Sequence, residues 1–312
     1  MAERFFDFWR VDVFTDTPLT GNPLAVFVRA TGLSPAEMGA IAREMNLSET
    51  TFVFPPTNPS ANYRNRIFTP SGEIPFAGHP SIGTAFVAAL EGLVPHPDGS
   101  SIVYQELSIG VLPLELLCEG GQVKKVVMTQ GEPVLGAKVK NVEPLAEALQ
   151  IRTKDIGAKG LLPQIASTGI ESLQVPLRSL DVVKGLDPDE RALRKFLSKF
   201  GEKIVCYAFS LQTESPEAHV HGRAFVPDLG IEDPATGSAA GACGAYLAAN
   251  GSLPASTFVI EQGIEVQHAS RIEVSVEMDG DQPKVVRVGG QVVPLIRGSL
   301  RLPSPAGSDS ST

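Results

Sequence analysis

The stretch RIFTPSGEIPFAGHPSIG, from Arg66 to Gly83, returns in altered form as RAFVPDLGIEDPATGSAAG from Arg223 to Gly241. Each copy reads as Arg-x-Phe-x-Pro at the end of a strand, a glycine-containing turn, and small residues that open an Ala-rich helix. A device built twice restricts the fold to two similar halves, each with strands leading into one apolar helix. The length agrees, because 312 residues at ~150 per domain predict two domains.

Strands are expected wherever apolar residues alternate, as in FWRVDVF and NPLAVFV, which a turn cluster holding Thr20, Gly21, Asn22 and Pro23 joins. LSPAEMGAIAREMN predicts a capped helix, with Ser34 as N-cap, Pro35 at the first helical position and Glu37 three residues after the cap. The Ala-rich stretches from Pro80 to Leu90 and from Ser238 to Asn250 carry few polar side chains, so both should be buried helices. DPDERALRKFLSKFG predicts an amphipathic surface helix ending at Gly201. Strands are expected again from Lys203 to Ser210, from Val220 to Val226 and through most of 257–302, while the tail 303–312 is expected to be disordered.

A net charge of −9 without any Lys/Arg run excludes a nucleic-acid or anionic-membrane footprint, so an anion must be held by local dipoles instead. No apolar run approaches the ~18 residues of a membrane helix. MAERFFDFWRVDVF lacks the cationic start and continuous apolar core expected of a signal peptide, and Cys118, Cys206 and Cys243 are too scattered for a disulfide framework or zinc site. These features point to a cytoplasmic protein.

Chemistry is expected at the helix starts. AGHPSIG and DPATGS leave bare backbone N–H groups at a positive dipole end, suited to a carboxylate, and two such starts predict two half-sites for one small anion. Glu49, where NLSETTFVF passes into an apolar strand, is either a solvated strand-end residue or a desolvated base with a raised pKa. His79 has a capping or packing role, or else carries a proton or meets substrate. Asp233 is a plain N-cap, or it meets a substrate hydroxyl or amine. His219 and His221 share a strand face without a third ligand nearby, so an exposed or satisfied pair is expected rather than a metal site.

VDVFTDTPLTGNPLAVF, NLSETTFVFPP, RIFTPSGEIPFAGHPSIGTAF and RAFVPDLGIEDPATGSAAGACGAYL together resemble the PhzF-like phenazine-biosynthesis isomerase family over nearly the whole chain. The resemblance implies an α+β, diaminopimelate-epimerase-like fold: two pseudo-symmetric domains, each a barrel-like, mostly antiparallel sheet around a central apolar helix. The expected first domain covers 1–129 plus 284–302, whose strands return to it, and the second covers 130–283. The resemblance also implies a homodimer that uses neither metal nor cofactor. Carried over by motif, the catalytic residues are Glu49, His79 and Asp233, and the substrate-binding residues are Gly78, Ser81, Thr236, Gly237 and Ser238. The implied reaction is an intramolecular proton transfer on a small carboxylate-bearing substrate, as in trans-2,3-dihydro-3-hydroxyanthranilate isomerisation.

Two alternatives stand beside it: a non-thiol epimerase or racemase of an amino acid, and a catalytically silent metabolite-binding or interaction protein of the same fold. The related epimerases place cysteines beside a glycine at these helix starts, where this sequence has Ala77-Gly78 and Thr236-Gly237. Two-thiol racemisation is therefore not expected.

Overall fold

The computed structural model describes residues 3–252 and 257–304. The part of the expected tail from 305 onward lies outside the described residues. The chain divides into two compact units, one formed by residues up to 12, 23–126 and 292 onward, the other by 13–22 and 127–291.

In the first unit, α1 (Pro35–Met45) begins as its sequence dictates. The Glu37 amide donates to Ser34 Oγ, the Ser34 amide donates to Glu37 Oε2, and Pro35 supplies the fixed φ of the first turn. Asn46 ends the helix in the left-handed region at φ 50°. Met38, Ile41 and Ala42 of α1 pack on a face carrying Phe27, Phe52 and Phe68. The Phe8–Phe27–Phe52–Phe68 rings follow one another at centroid spacings of 5.2, 5.2 and 5.5 Å, each contact contributing about 1 kcal/mol beyond area burial. On the other side lies α2 (Gly78–Leu90), with every residue from His79 to Ala89 buried. Strands on several sides of α2 explain a helix without a polar face.

In the second unit, α3 (Glu143–Ala148), α4 (Leu180–Lys184) and α5 (Glu190–Leu197) are amphipathic and share a core with Leu173, Val175, Cys206 and Ala208. The sequence placed the end of α5 at Gly201, but the helix stops at Leu197. There Ser198 Oγ donates back to Lys195 O, and the amides of Lys199 and Phe200 bond three residues back, a tightened last turn. The central helix is α6 (Gly237–Ala249), buried from Ala239 to Leu247 and surrounded by strands.

The two units share a pairing order. In the first, Asn22–Phe27 runs parallel to Thr50–Phe54, which is antiparallel to Tyr63–Thr69; that strand forms a hairpin with Gly72–Ile74, lies parallel to Gly99–Leu107, and the latter is antiparallel to Gly110–Glu119. In the second, Glu171–Pro176, Val205–Ser210, Val220–Val226, Ile231–Asp233, Phe258–Gln262 and Ser270–Asp279 repeat it: parallel, antiparallel, hairpin, parallel, antiparallel. Each hairpin delivers the chain to the start of a central helix.

The repeated Arg now has a reason. Arg66 forks onto Glu73 (Nε–Oε1 2.7 Å, Nη2–Oε2 2.6 Å) and lies over the Phe68 ring. Arg223 forks onto Glu232 (2.9 and 2.7 Å) and lies over Phe225. Phe68 pairs with Glu73 and Phe225 with Glu232 across the two hairpins, so the Arg-x-Phe motif staples each hairpin by a bidentate ion pair and a cation–π contact.

Among the described residues no helix is long and apolar enough to cross a membrane.

Candidate active site

Glu49 follows the turn after α1 and precedes strand Thr50–Phe54. The hydroxyl of Thr84 on α2 donates to Thr51 Oγ1 at 2.9 Å, which fixes strand and helix at one height. Glu49 Oε2 lies 3.4 Å from His79 Nε2, with the side chains only 17% and 8% exposed. Burial pushes the Glu49 carboxyl above the usual carboxylate range. Of the two readings of Glu49 open in the sequence, the solvated strand-end residue does not describe this side chain.

Gly78 is the first residue of α2 and His79 the second. The N-cap, Ala77, has no side chain to offer the first amides, and Ser81, 0% exposed, turns its hydroxyl onto Ala77 O at 2.8 Å. The start of a buried thirteen-residue helix is thus uncapped by side chains, the arrangement that favours an anion.

The second unit brings together Asp233, Thr236, Gly237 and Ser238. Here the N-cap is Thr236, and Asp233 sits three residues earlier at the end of the hairpin strand, so the plain N-cap reading of Asp233 falls away. Thr236 gives its hydroxyl to Asp233 Oδ2 at 2.5 Å instead of capping α6. Asp233 Oδ1 accepts from Asn22 Nδ2 at 2.8 Å, and the same amide donates to Ala235 O at 3.0 Å. Gln130 Nε2 donates to Gly237 O, and the Thr168 hydroxyl lies against Gln130 Oε1 and Ser238 O. A Cβ on Gly237 would stand 3.1 Å from Phe14 Cζ, so a larger residue opening this helix would press on that ring.

Sequence reasoning missed Asn22, Gln130, Thr168 and Gln262 as supports of this helix start. Asn22 read as a turn residue because its partner lies 211 positions away, beyond any local pattern.

None of the three cysteines opens either central helix, and Cys243 lies in the interior of α6. All three are buried, and burial pushes Cys206 up to about 12 and Cys243 well above its ordinary value. His221 is held between Glu261 (2.8 Å) and Glu265 (2.9 Å), a satisfied histidine as the sequence suggested, although His219 turns instead to the Val259 amide. Among the described residues no cluster could hold a metal ion.

The profile of the phenazine biosynthesis-like proteins, PhzC-PhzF, matches residues 11–298. The chain belongs to this PhzF-like family. Trans-2,3-dihydro-3-hydroxyanthranilate isomerase of Pseudomonas fluorescens is 37% identical over 94% of the chain and 98% of that protein. An uncharacterized isomerase of Clostridium acetobutylicum is 34% identical over 96% of the chain and 99% of its own length. The crystal structure of a PhzF-family phenazine biosynthesis protein from Bacillus anthracis superposes with a TM-score of 0.85 at 27% identity, covering 95% and 99% of the two chains. A probable proline racemase from Agrobacterium radiobacter, 14% identical with a TM-score of 0.67 over 97% and 94%, shares the fold alone. The α+β, diaminopimelate-epimerase-like fold expected from the sequence is the fold observed, and this PhzF-like chain is an isomerase.

Proposed function

We propose that this PhzF-like isomerase moves a proton within a small, cyclic carboxylic acid without a cofactor, Glu49 both taking the proton and returning it. Relatives named as trans-2,3-dihydro-3-hydroxyanthranilate isomerases make that acid, or one built like it, the first substrate to try. The observation that carries the reading is the Glu49–His79 pair: a buried carboxyl with a raised pKa, 3.4 Å from an imidazole. A base whose pKa approaches the working pH can both accept and release a proton, a role worth ~10²–10⁴ in rate.

The step balances within the substrate. A C–H bond breaks toward the Glu49 carboxylate, the electron pair shifts through the neighbouring double bond, and the Glu49 carboxylic acid returns the proton to the far carbon. His79 steadies the carboxyl or meets the substrate, and Asp233 meets a substrate hydroxyl or amine. The amides of Gly78 at the start of α2 and of Gly237 and Ser238 at the start of α6 are assigned to anionic substrate groups, while Ser81 and Thr236, whose hydroxyls bond Ala77 O and Asp233, shape those two starts. A cytoplasmic homodimer with neither nucleic-acid nor membrane partner completes the proposal. Thiol epimerisation finds no support, since the residues before the two helix glycines are Ala77 and Thr236.

The test is turnover of trans-2,3-dihydro-3-hydroxyanthranilate in deuterated water, followed by NMR. Wild-type protein should isomerise it with solvent deuterium entering the product. Glu49→Gln should keep fold and ligand affinity yet lose both signals; unchanged exchange in that variant would defeat the assignment.

A further inference from the structure

The two units solve one position of the fold in opposite ways. Arg66 and Arg223 are equivalent, and the strand that pairs in parallel beside each places Glu106 opposite Arg64 and Glu261 opposite His221. Both glutamates clamp the amides of a preceding loop: Glu106 accepts from Thr57 and Asn58 (2.6 and 2.9 Å), Glu261 from Glu214 and Ser215 (2.6 and 3.0 Å). The next residue ends its strand in each case, Leu107 in the first unit and Gln262 in the second. Leu107 belongs to an apolar cluster with Ala77 and Ile74. The equivalent trio in the second unit is Gln262, Thr236 and Asp233, joined by hydrogen bonds.

Gln262 is 0% exposed and uses its whole amide. Nε2 donates to Asp233 O (2.7 Å) and Thr236 Oγ1 (3.1 Å); Oε1 accepts from the Thr236 amide (3.3 Å) and the Tyr207 hydroxyl (3.1 Å). The orientation is unambiguous, because the Thr236 amide can only donate and Asp233 O can only accept. Since Thr236 Oγ1 accepts a hydrogen bond from Gln262 Nε2, its own hydroxyl hydrogen is directed to Asp233 Oδ2. Gly222, opposite Gln262 in the parallel pairing, leaves room for Tyr207; a Cβ there would stand 2.5 Å from the Tyr207 hydroxyl.

The fold does not require this network, because the first unit builds the same corner from hydrocarbon, and buried polar groups cost stability unless fully paired. We propose that Gln262 is a positioning residue of the isomerase: through Thr236 it aims the Asp233 carboxylate, and through the Thr236 amide it sets the start of α6. The inference rests on the proposed function, in which Asp233 meets the substrate.

Gln262→Met keeps the volume and removes all four bonds. It should lower kcat roughly 10- to 100-fold with a smaller change in KM, and in an Asp233→Asn background its further loss should be much smaller than in wild type, because the part of its effect that runs through Asp233 is already gone. Tyr207→Phe, which removes one donor to Gln262 Oε1 and little else, should lower kcat a few-fold and carries the test if Gln262→Met does not fold. Both are assayed beside Glu49→Gln by solvent deuterium incorporation. Exchange lost in Glu49→Gln but retained at wild-type kcat in Gln262→Met and Tyr207→Phe overturns this inference alone. Wild-type protein that exchanges nothing, or a Glu49→Gln variant that exchanges normally, overturns the proposed function and this inference with it.

Discussion

Glu49 Oε2 stands 3.4 Å from His79 Nε2, beside a strand and helix that the Thr84–Thr51 hydroxyl bond also joins. Burial raises the Glu49 carboxyl, so the folded protein binds this proton more tightly than the unfolded chain does. Charging the carboxyl therefore costs folding free energy, and the cost grows as pH rises through the folded value. Glu49→Gln should raise Tm by a few degrees at pH 7, with the difference from wild type vanishing below about pH 4. Calorimetry of both proteins across this range checks the sign; a variant less stable than wild type at pH 7 would contradict it. The acidic limb of the wild-type activity profile should also lie above the ordinary carboxylate range.

The two hairpin staples look alike in sequence and should differ in energy. Arg223 and Glu232 have side chains 8% and 12% exposed, and Arg223 also donates to the carbonyls of Val183 and Leu186. Arg66 and Glu73 are 19% and 40% exposed. Removing one partner of a buried pair strands a charge, at about 3–5 kcal/mol, whereas a half-exposed pair contributes about 1 kcal/mol or less. Urea unfolding of Arg223→Ala and Arg66→Ala measures both losses, and the first should be at least twice the second.

Local repetition is what made the architecture readable. The Arg-x-Phe hairpins, the two helix starts and the capping box at Ser34 each depend on residues within about twenty positions, so the chain displays them directly. The support of the second helix start does not work that way. Asn22, Gln130 and Gln262 reach Asp233, Gly237 and Thr236 from elsewhere in the fold, and each carries an ordinary turn or strand-end signature. Strands Gln164–Ser167 and Glu171–Pro176 and the short α4 were equally silent, being brief segments whose burial comes from tertiary packing. Glu49 and His79 were legible as residue types at suggestive addresses; their approach is a tertiary contact, which no spacing rule reports.

His221 predicts a second pH dependence. Burial alone would lower its pKa, but the hydrogen bonds it donates to Glu261 and Glu265 outweigh that and raise it to about 9, while both glutamates end below their usual range. A histidine raised in the folded state stabilises fully below its unfolded value near 6.5 and loses that contribution as pH rises to about 9. The glutamates add stability above about pH 4.5 and lose it on further acidification. Wild-type unfolding free energy should therefore fall by up to about 3 kcal/mol between pH 6.5 and 9.5 through this group, and His221→Gln should lack that component. Equal slopes for the two proteins in urea titrations at the two pH values would refute the assignment.

Gly263, next to Gln262, couples this cluster to the second helix start through backbone alone. Its φ is +78°, and a Cβ there would lie 2.4 Å from Pro234 O and 2.5 Å from His268 O. Neither obstacle is a side chain that can swing aside, and the left-handed φ adds about 1 kcal/mol for any other residue. Gly263→Ala must therefore push the Asp233–Pro234 segment or the 263–268 turn off its course, with a stability loss of roughly 2–4 kcal/mol. Gly280, at φ +59° with open space around its Cβ position, provides the control: Gly280→Ala meets only the backbone term and should cost about 1 kcal/mol. If thermal melts show the two alanine variants equally stable, the close approach of Gly263 to Pro234 does not hold in solution. If Gly263→Ala also loses isomerase activity while Gly280→Ala retains it, the path from strand end to helix start is one the reaction depends on.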